Sequence, residues 1–150
     1  MIMKKLFIYY SLTGNGDIVA EKMRELGYEI RKVNSKRRMP KAFFFRIMSG
    51  GFLAAINAKD KLVSYDDDVS SYEELVIGSP IWNGRFPPAI NTVLKETNLS
   101  DKKLTFVLYS GSGSGPKAKE RIQKEYPQAT IIELQEPKSK VAELEKLAGL

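Results

Sequence analysis

Small and hydroxyl-bearing residues follow the first apolar run of the chain and precede a helix-like stretch. They read Ser11, Leu12, Thr13, Gly14, Asn15 and Gly16. Hydroxyls, an amide and backbone N–H groups at a helix N-terminus can hold an anion. The hexapeptide itself contains no Lys, Arg or His. It therefore predicts an anion site that relies on dipoles and hydrogen bonds, although a plain strand-to-helix turn with a helix cap fits the same residues.

A second candidate segment carries the only tryptophan of the chain. Its residues are Pro80, Ile81, Trp82, Asn83 and Gly84. An aromatic ring that follows a buried strand should lie near the rim of a sheet, where its face can stack on a planar ligand. Asn83-Gly84 predicts a tight turn because both residues tolerate a positive φ. The alternative is a core tryptophan that closes one end of the sheet.

A third candidate segment is built of serine and glycine. Its residues are Ser110, Gly111, Ser112, Gly113 and Ser114. A backbone without large side chains can approach a ligand closely, although a merely flexible loop has the same composition. The segment is not a Walker A loop, because Pro116 stands where the second glycine is needed and no hydroxyl residue follows Lys117. The first segment also lacks the glycine spacing of a dinucleotide-binding loop.

Two residue types are missing, since the sequence has no Cys and no His. Their absence excludes disulfides, thiolate nucleophiles, zinc–thiolate sites and a Ser-His-Asp triad. No metal site is expected, and reactive chemistry would come from a bound cofactor, with a carboxylate-based hydrolase left open. The net charge of +6 permits acidic protein partners or an anionic membrane surface. No nucleic-acid partner is expected, because no recognisable binding motif is present.

Strand-like and helix-like segments alternate around the three loops. Strands are predicted at residues 4–10, 28–34, 73–79, 103–110 and 129–134, and helices at 17–27, 87–97, 116–126 and 139–148. This alternation predicts an α/β fold, a doubly wound parallel sheet of five strands, in one domain spanning residues 1–150. Ligands of such sheets bind at the carboxyl ends of the strands, where the loops after the first, third and fourth strands would meet.

A basic, aromatic-rich insert at about residues 36–61 interrupts the alternation between the second and third strands. It contains Arg37-Arg38 and Phe43-Phe44-Phe45, and it is expected to form one or two short helices broken at Gly50-Gly51. An acidic run, Asp66-Asp67-Asp68, follows it. The insert could dock an acidic redox partner or an anionic membrane surface. The alternative is an ordinary crossover helix with solvated charges.

The three loops together resemble those of the flavodoxin family. Ser11-Leu12-Thr13-Gly14-Asn15 is similar to the family's phosphate loop, and the Trp82 and Ser/Gly segments look like its other two flavin loops. The resemblance implies a three-layer α/β/α fold, strand order 2-1-3-4-5 and an FMN cofactor. It places the FMN phosphate on residues 11–16 and the isoalloxazine ring between residues 80–84 and 110–114. Gly16 departs from the family pattern, which has a hydroxyl residue there.

The function implied by the resemblance is that of an FMN-binding electron-transfer protein or oxidoreductase with a redox partner protein. An NAD(P)H-dependent FMN quinone reductase is the alternative within that class. A flavin-free interaction module is the alternative outside it. Two features favour that module: Gly16 removes a phosphate ligand, and the third loop lacks the stacking Tyr that many flavodoxins carry there. On this interpretation Gly16→Thr should tighten FMN binding. A phosphoacceptor receiver domain is rejected, because its acids are missing. A cytoplasmic location is expected, since no secretory signal or apolar span is recognised.

Overall fold

The fold is known from a computed structural model that describes residues 4–37, 52–53 and 58–150. Five strands form one parallel sheet in the order β2-β1-β3-β4-β5. Their bounds are β1 Lys5–Tyr9, β2 Glu29–Lys32, β3 Glu74–Pro80, β4 Lys103–Ser110 and β5 Thr130–Gln135. The predicted strand order and parallel pairing are therefore confirmed.

Helices connect the strands as the alternation predicted. In the described residues they are α1 Asn15–Glu25, α2 Pro88–Glu96, α3 Pro116–Glu125 and a 3₁₀ helix, Val141–Leu147. Gly27 ends the turn after α1 with a φ of 93°, a conformation that costs glycine little. Pro88 and Pro116 occupy the starts of α2 and α3, where a missing N–H is tolerated.

The core lies on both faces of the sheet because strand side chains alternate in direction. On one face Leu6, Ile8, Leu75 and Ile77 pack with apolar residues of α2 and α3. On the other face the intervening strand residues pack with α1 and the 3₁₀ helix, through Phe7, Val76, Val107, Val19, Met23 and Leu147. The three-layer α/β/α arrangement follows from this division.

Some predicted bounds are wrong. Strand β2 ends at Lys32 rather than at 34, and α1 begins at Asn15 rather than at 17. The closing helix predicted at 139–148 is a 3₁₀ helix, in which Glu143 Oε1 accepts a hydrogen bond from the Gln135 backbone N–H of β5 at 2.7 Å. That bond fixes the segment to the strand beside it.

Most of the insert, residues 38–51 and 54–57, lies outside the described residues, and so do its predicted helix break and phenylalanine cluster. Two described cations near its start are paired: Arg37 Nε lies 2.5 Å from Asp60 Oδ1, and Arg31 Nη2 lies 3.6 Å from Asp66 Oδ2. Across the described ranges, no helix is both long enough and apolar enough to cross a membrane.

Candidate functional site

The first loop is closed by the side chain of Ser11. Ser11 Oγ accepts hydrogen bonds from the backbone N–H groups of Gly14, at 3.1 Å, and Gly16, at 3.0 Å. Gly14 itself has a φ of 101° and caps α1 without a side-chain bond. The Ser11 oxygen therefore shapes the loop from within, and only its hydroxyl proton remains to be donated outward.

Gly16 is required by a tyrosine of β4. A Cβ atom built at Gly16 would lie 2.8 Å from Ser11 Cβ and 2.9 Å from Tyr109 Cζ. Tyr109 is fully buried, its hydroxyl donates to the Tyr10 carbonyl oxygen, and burial raises its pKa well above the usual value. The structure thus indicates that the family's hydroxyl residue at this position would not fit, and it removes the basis of the Gly16→Thr expectation.

A cation approaches the first loop from a distant part of the sequence. Lys138, in the turn after β5, donates from Nζ to the Thr13 carbonyl oxygen at 3.2 Å. Its backbone N–H donates to Asn15 Oδ1 at 3.0 Å. Sequence reasoning missed this residue, although β5 ends at the same edge of the sheet as β1. Residues 11–16 contain no cation, but in the folded protein the Lys138 side chain lies against them.

The start of α1 is tied to the sheet by Asp17. Asp17 Oδ1 accepts hydrogen bonds from Tyr9 Oη at 2.7 Å and from Lys32 Nζ at 2.8 Å. Burial alone would raise the pKa of Asp17, but these two bonds, together with the charges of Lys32 and Lys138, outweigh it and hold the pKa below its usual value. Burial and the bond to Asp17 raise the pKa of Tyr9. The polar cluster therefore fixes the helix whose first turn forms the loop.

The second loop forms the predicted turn. Asn83 and Gly84 have φ angles of 52° and 74°. Trp82 and Arg85 exchange backbone hydrogen bonds of 2.9 and 3.0 Å around them, and the Gly84 carbonyl accepts from the Ala118 N–H at 2.8 Å. Within the described residues, the Asn83 C=O and Gly84 N–H groups have no backbone partner. The residues on either side of the turn are thus held by backbone hydrogen bonds, whereas the Asn83–Gly84 peptide group between them is not.

The predicted ring-binding residues of this loop differ in their exposure. Trp82 is half-buried, and its ring centroid lies 6.0 Å from that of Tyr10 at an interplanar angle of 74°. Pro80 ends β3, and Ile81 packs against the core, where a Cβ at Gly115 would meet its Cγ1 at 2.9 Å. Trp82, Ile81 and Leu12 are all partly buried and pack against the core at this end of the sheet, so Trp82 is neither fully buried nor free of the core.

The third loop is held by its own hydroxyls rather than left free. Ser110 Oγ accepts from the Gly113 N–H at 3.0 Å, and Ser112 Oγ donates to the Ser114 carbonyl oxygen at 3.1 Å. Gln135 of β5 donates to the Gly111 carbonyl oxygen at 3.1 Å. These bonds give the loop a defined shape beside the second loop.

A basic groove runs from the second loop along α3. It encloses a cavity of about 430 Å³. Its charged lining residues are the cations Arg85, Lys117, Arg121 and Lys124 and the carboxylates Glu120 and Glu125, of which Glu120 pairs with Lys117 at 3.9 Å. Arg121 is engaged by Asn91 Oδ1 and Glu125 Oε2, at 2.6 and 2.7 Å. In the described part of the chain, Arg85 and Lys124 have no carboxylate partner, so the groove carries excess positive charge.

Comparison with known proteins identifies the class. The chain matches the flavodoxin family over residues 4–143 and therefore belongs to it. A Bacteroides eggerthii protein proposed to be a flavoprotein shares 23% identity over 98% of this chain and 99% of its own, with a TM-score of 0.74. A Lactobacillus acidophilus flavoprotein, solved in complex with FMN, shares 20% identity over 96% and 99%, with a TM-score of 0.68. No curated protein matches.

Proposed function

We propose that this protein binds FMN among the three loops and acts as a small electron-transfer protein. FMN is the cofactor expected of the flavodoxin family, and the Lactobacillus acidophilus relative was solved with it. One observation carries the proposal for this chain. The three loops predicted from the sequence follow β1, β3 and β4, which are adjacent in the sheet and end at the same edge.

The first loop fits the phosphate of FMN. The Thr13 hydroxyl, the Asn15 amide and the N–H groups of Leu12 and Thr13 can donate hydrogen bonds to phosphate oxygens. They lie at the start of α1, where the helix dipole favours an anion. Because Ser11 Oγ already holds the Gly14 and Gly16 N–H groups, the loop shape exists before any ligand enters.

The second and third loops fit an aromatic ring. When bound, the isoalloxazine ring supplies the exchange of electrons, and the protein only holds and tunes it. The Asn83–Gly84 peptide can rotate without breaking a backbone hydrogen bond, so it can present either an acceptor or a donor to the ring. Glycine at position 84 permits the φ values that such a rotation needs.

The visible spectrum of the purified protein tests the cofactor. We expect an oxidised-flavin spectrum, or its appearance on adding FMN, together with quenching of the fluorescence of Trp82, the only tryptophan. Protein that stays colourless with FMN and keeps its Trp82 emission would contradict the proposal. Rapid turnover of NADPH with a quinone would instead assign the protein to the reductases.

The flavin-free module loses one of its two supports, while the missing third-loop aromatic is unaffected. That alternative rested partly on Gly16 as a lost phosphate ligand. The contact with Tyr109 gives Gly16 a packing reason instead, and no loss of function needs to be inferred from it.

The partner we propose is an acidic redox protein that docks on the basic groove. The groove lies next to the Asn83-Gly84 turn. Arg85, which follows the turn, and Ala118 of α3 both line the groove, and the Ala118 N–H donates to the Gly84 carbonyl oxygen. Excess positive charge there would attract an acidic surface and speed its approach. The membrane interaction predicted for the insert depends on residues outside the described ranges and stays a prediction, as does the cytoplasmic location.

A further inference from the structure

The first loop and the turn after β5 form a joint surface that the sequence does not reveal. Lys138 is fixed to that surface at two points, through its backbone N–H on Asn15 Oδ1 and through Nζ on the Thr13 carbonyl. A Cβ built at Gly14 would lie 3.1 Å from Lys138 Nζ and 3.2 Å from its Cδ. The lysine side chain therefore runs across Gly14, over the loop itself.

The charge of Lys138 helps to lower the pKa of the Asp17 carboxyl, but the two side chains do not form a close ion pair. Asp17, in the first turn of α1, is engaged by Lys32 and Tyr9 instead. Among the described residues, no carboxylate forms an ion pair with Lys138 Nζ. The bond to the Thr13 carbonyl uses one of the three ammonium protons, and two remain for another acceptor.

The same lysine also orients an amide donor. Because Asn15 Oδ1 accepts the Lys138 N–H, the Asn15 Nδ2 group is turned away from the turn after β5. Within the part of the chain described by the structure, Nδ2 has no acceptor. A positive charge, an amide donor and a helix N-terminus are thus gathered around one loop.

We propose that Lys138 is a phosphate-selecting residue, which makes this protein prefer flavin mononucleotide over the uncharged riboflavin. The inference rests on the proposed function and deepens it, since it names the group that interacts with the phosphate charge of FMN. Lys138 binds the phosphate through Nζ and positions Asn15 through its backbone. A loop whose own six residues carry no cation thereby gains one from a turn more than a hundred residues away.

The test compares the dissociation constants of FMN and riboflavin for the wild type and for Lys138→Met, by quenching of Trp82 or flavin fluorescence. Methionine keeps an unbranched apolar side chain, one atom shorter than that of lysine, and removes the charge. We expect FMN binding to weaken about five- to tenfold, the scale of an exposed ion pair with a dianion, with riboflavin binding unchanged. The five- to tenfold difference in FMN affinity between the wild type and Lys138→Met should largely disappear as the salt concentration rises from 10 to 500 mM, because exposed charges are screened.

Lys140→Met is the matched control, since Lys140 is an exposed lysine two positions further along whose side chain forms no hydrogen bond or ion pair with the described residues. It should leave both constants unchanged. Equal weakening of FMN and riboflavin by Lys138→Met would show that the lysine acts only by holding the loop, and would overturn the inference. Unchanged FMN binding would also overturn it. Wild-type protein that binds neither flavin would overturn the proposed function, and the inference with it.

Discussion

At the scale of single residues, the contact between Gly16 and Tyr109 decides what the first loop can contain. Tyr109 fills the space beside Gly16 Cα and reaches the Tyr10 carbonyl with its hydroxyl. A side chain at position 16 must push against Ser11 and Tyr109, which are both fixed by hydrogen bonds. The glycine is thus a packing requirement at the point where β1, α1 and β4 meet.

Gly16→Ala should lower the free energy of unfolding by about 1–3 kcal/mol, the usual cost of overpacking a filled core. Urea unfolding followed by far-UV circular dichroism measures this. FMN affinity should fall as well, because the loop must shift to accept the methyl group. A variant as stable as the wild type would contradict the geometry of the contact.

A double mutant tests whether the contact with Tyr109 causes the destabilisation expected for Gly16→Ala. Tyr109→Phe removes the hydroxyl that lies closest to the added methyl group and should itself cost about 1 kcal/mol, for the lost bond to the Tyr10 carbonyl. If the contact is responsible, Gly16→Ala should cost less in the Tyr109→Phe background than in the wild type. Strict additivity of the two changes would place the strain elsewhere.

At the scale of elements, the start of α1 depends on Asp17. This residue links the helix to β1 through Tyr9 and to β2 through Lys32. The carboxyl is about half exposed, so the ion pair is worth little by itself, and its value lies in holding the first turn against the sheet. That turn presents the N–H groups of the candidate phosphate site.

Asp17→Asn should lower the free energy of unfolding at pH 7 by about 0.5–1 kcal/mol. The pKa of Asp17 is lower in the folded protein than the usual aspartate value of 3.8. The stabilisation is therefore fully present above about pH 4–5 and is lost as the pH falls through the folded-state pKa. Denaturant titrations of both proteins from pH 7 to pH 2 should show curves that converge at the acid end. A constant gap would mean that the charge of Asp17 is irrelevant.

Local patterns predicted the elements well, and distant contacts explain what they missed. The buried run of β4 and the Asn83-Gly84 turn depend on neighbouring residues, and both were predicted at the right place. The Lys138 contacts join residues 123 and 125 positions apart, and the bond from Tyr109 to Tyr10 spans 99. No periodicity or turn rule reports such pairs, so the cation of the first loop and the packing of Gly16 could not be derived from the sequence.

At the scale of the whole molecule, the net charge of +6 is distributed unevenly over the described surface. Arg37 and Arg31, near the start of the insert, are paired with Asp60 and Asp66, whereas Arg85 and Lys124 of the groove along α3 have no carboxylate partner among the described residues. Excess charge beside the candidate flavin site affects which electron acceptors react quickly.

Lys117→Glu should slow the oxidation of the reduced FMN protein by ferricyanide, an anion, about two- to fivefold at low salt. Lys117 lies at the start of α3, where a glutamate suits the helix dipole, so the variant should fold normally. Stopped-flow absorbance of the flavin measures the rate, and a neutral quinone should react equally fast with both proteins.

Lys4→Glu provides the control for net charge. Lys4 is exposed and precedes β1, at the edge of the sheet opposite the three loops, and the substitution changes the total charge by the same amount. Its rate with ferricyanide should stay close to that of the wild type. Equal slowing by both substitutions would indicate that total charge, rather than the groove, controls the reaction.

The Gly16–Tyr109 contact also bears on how relatives should be recognised. If a large side chain on β4 excludes a side chain at the sixth position of the loop, the two positions should co-vary in relatives. Chains with a small residue at the β4 position have room for a loop threonine, and chains with tyrosine there should carry glycine. A motif search that insists on the threonine would therefore discard intact cofactor-binding proteins of this second kind.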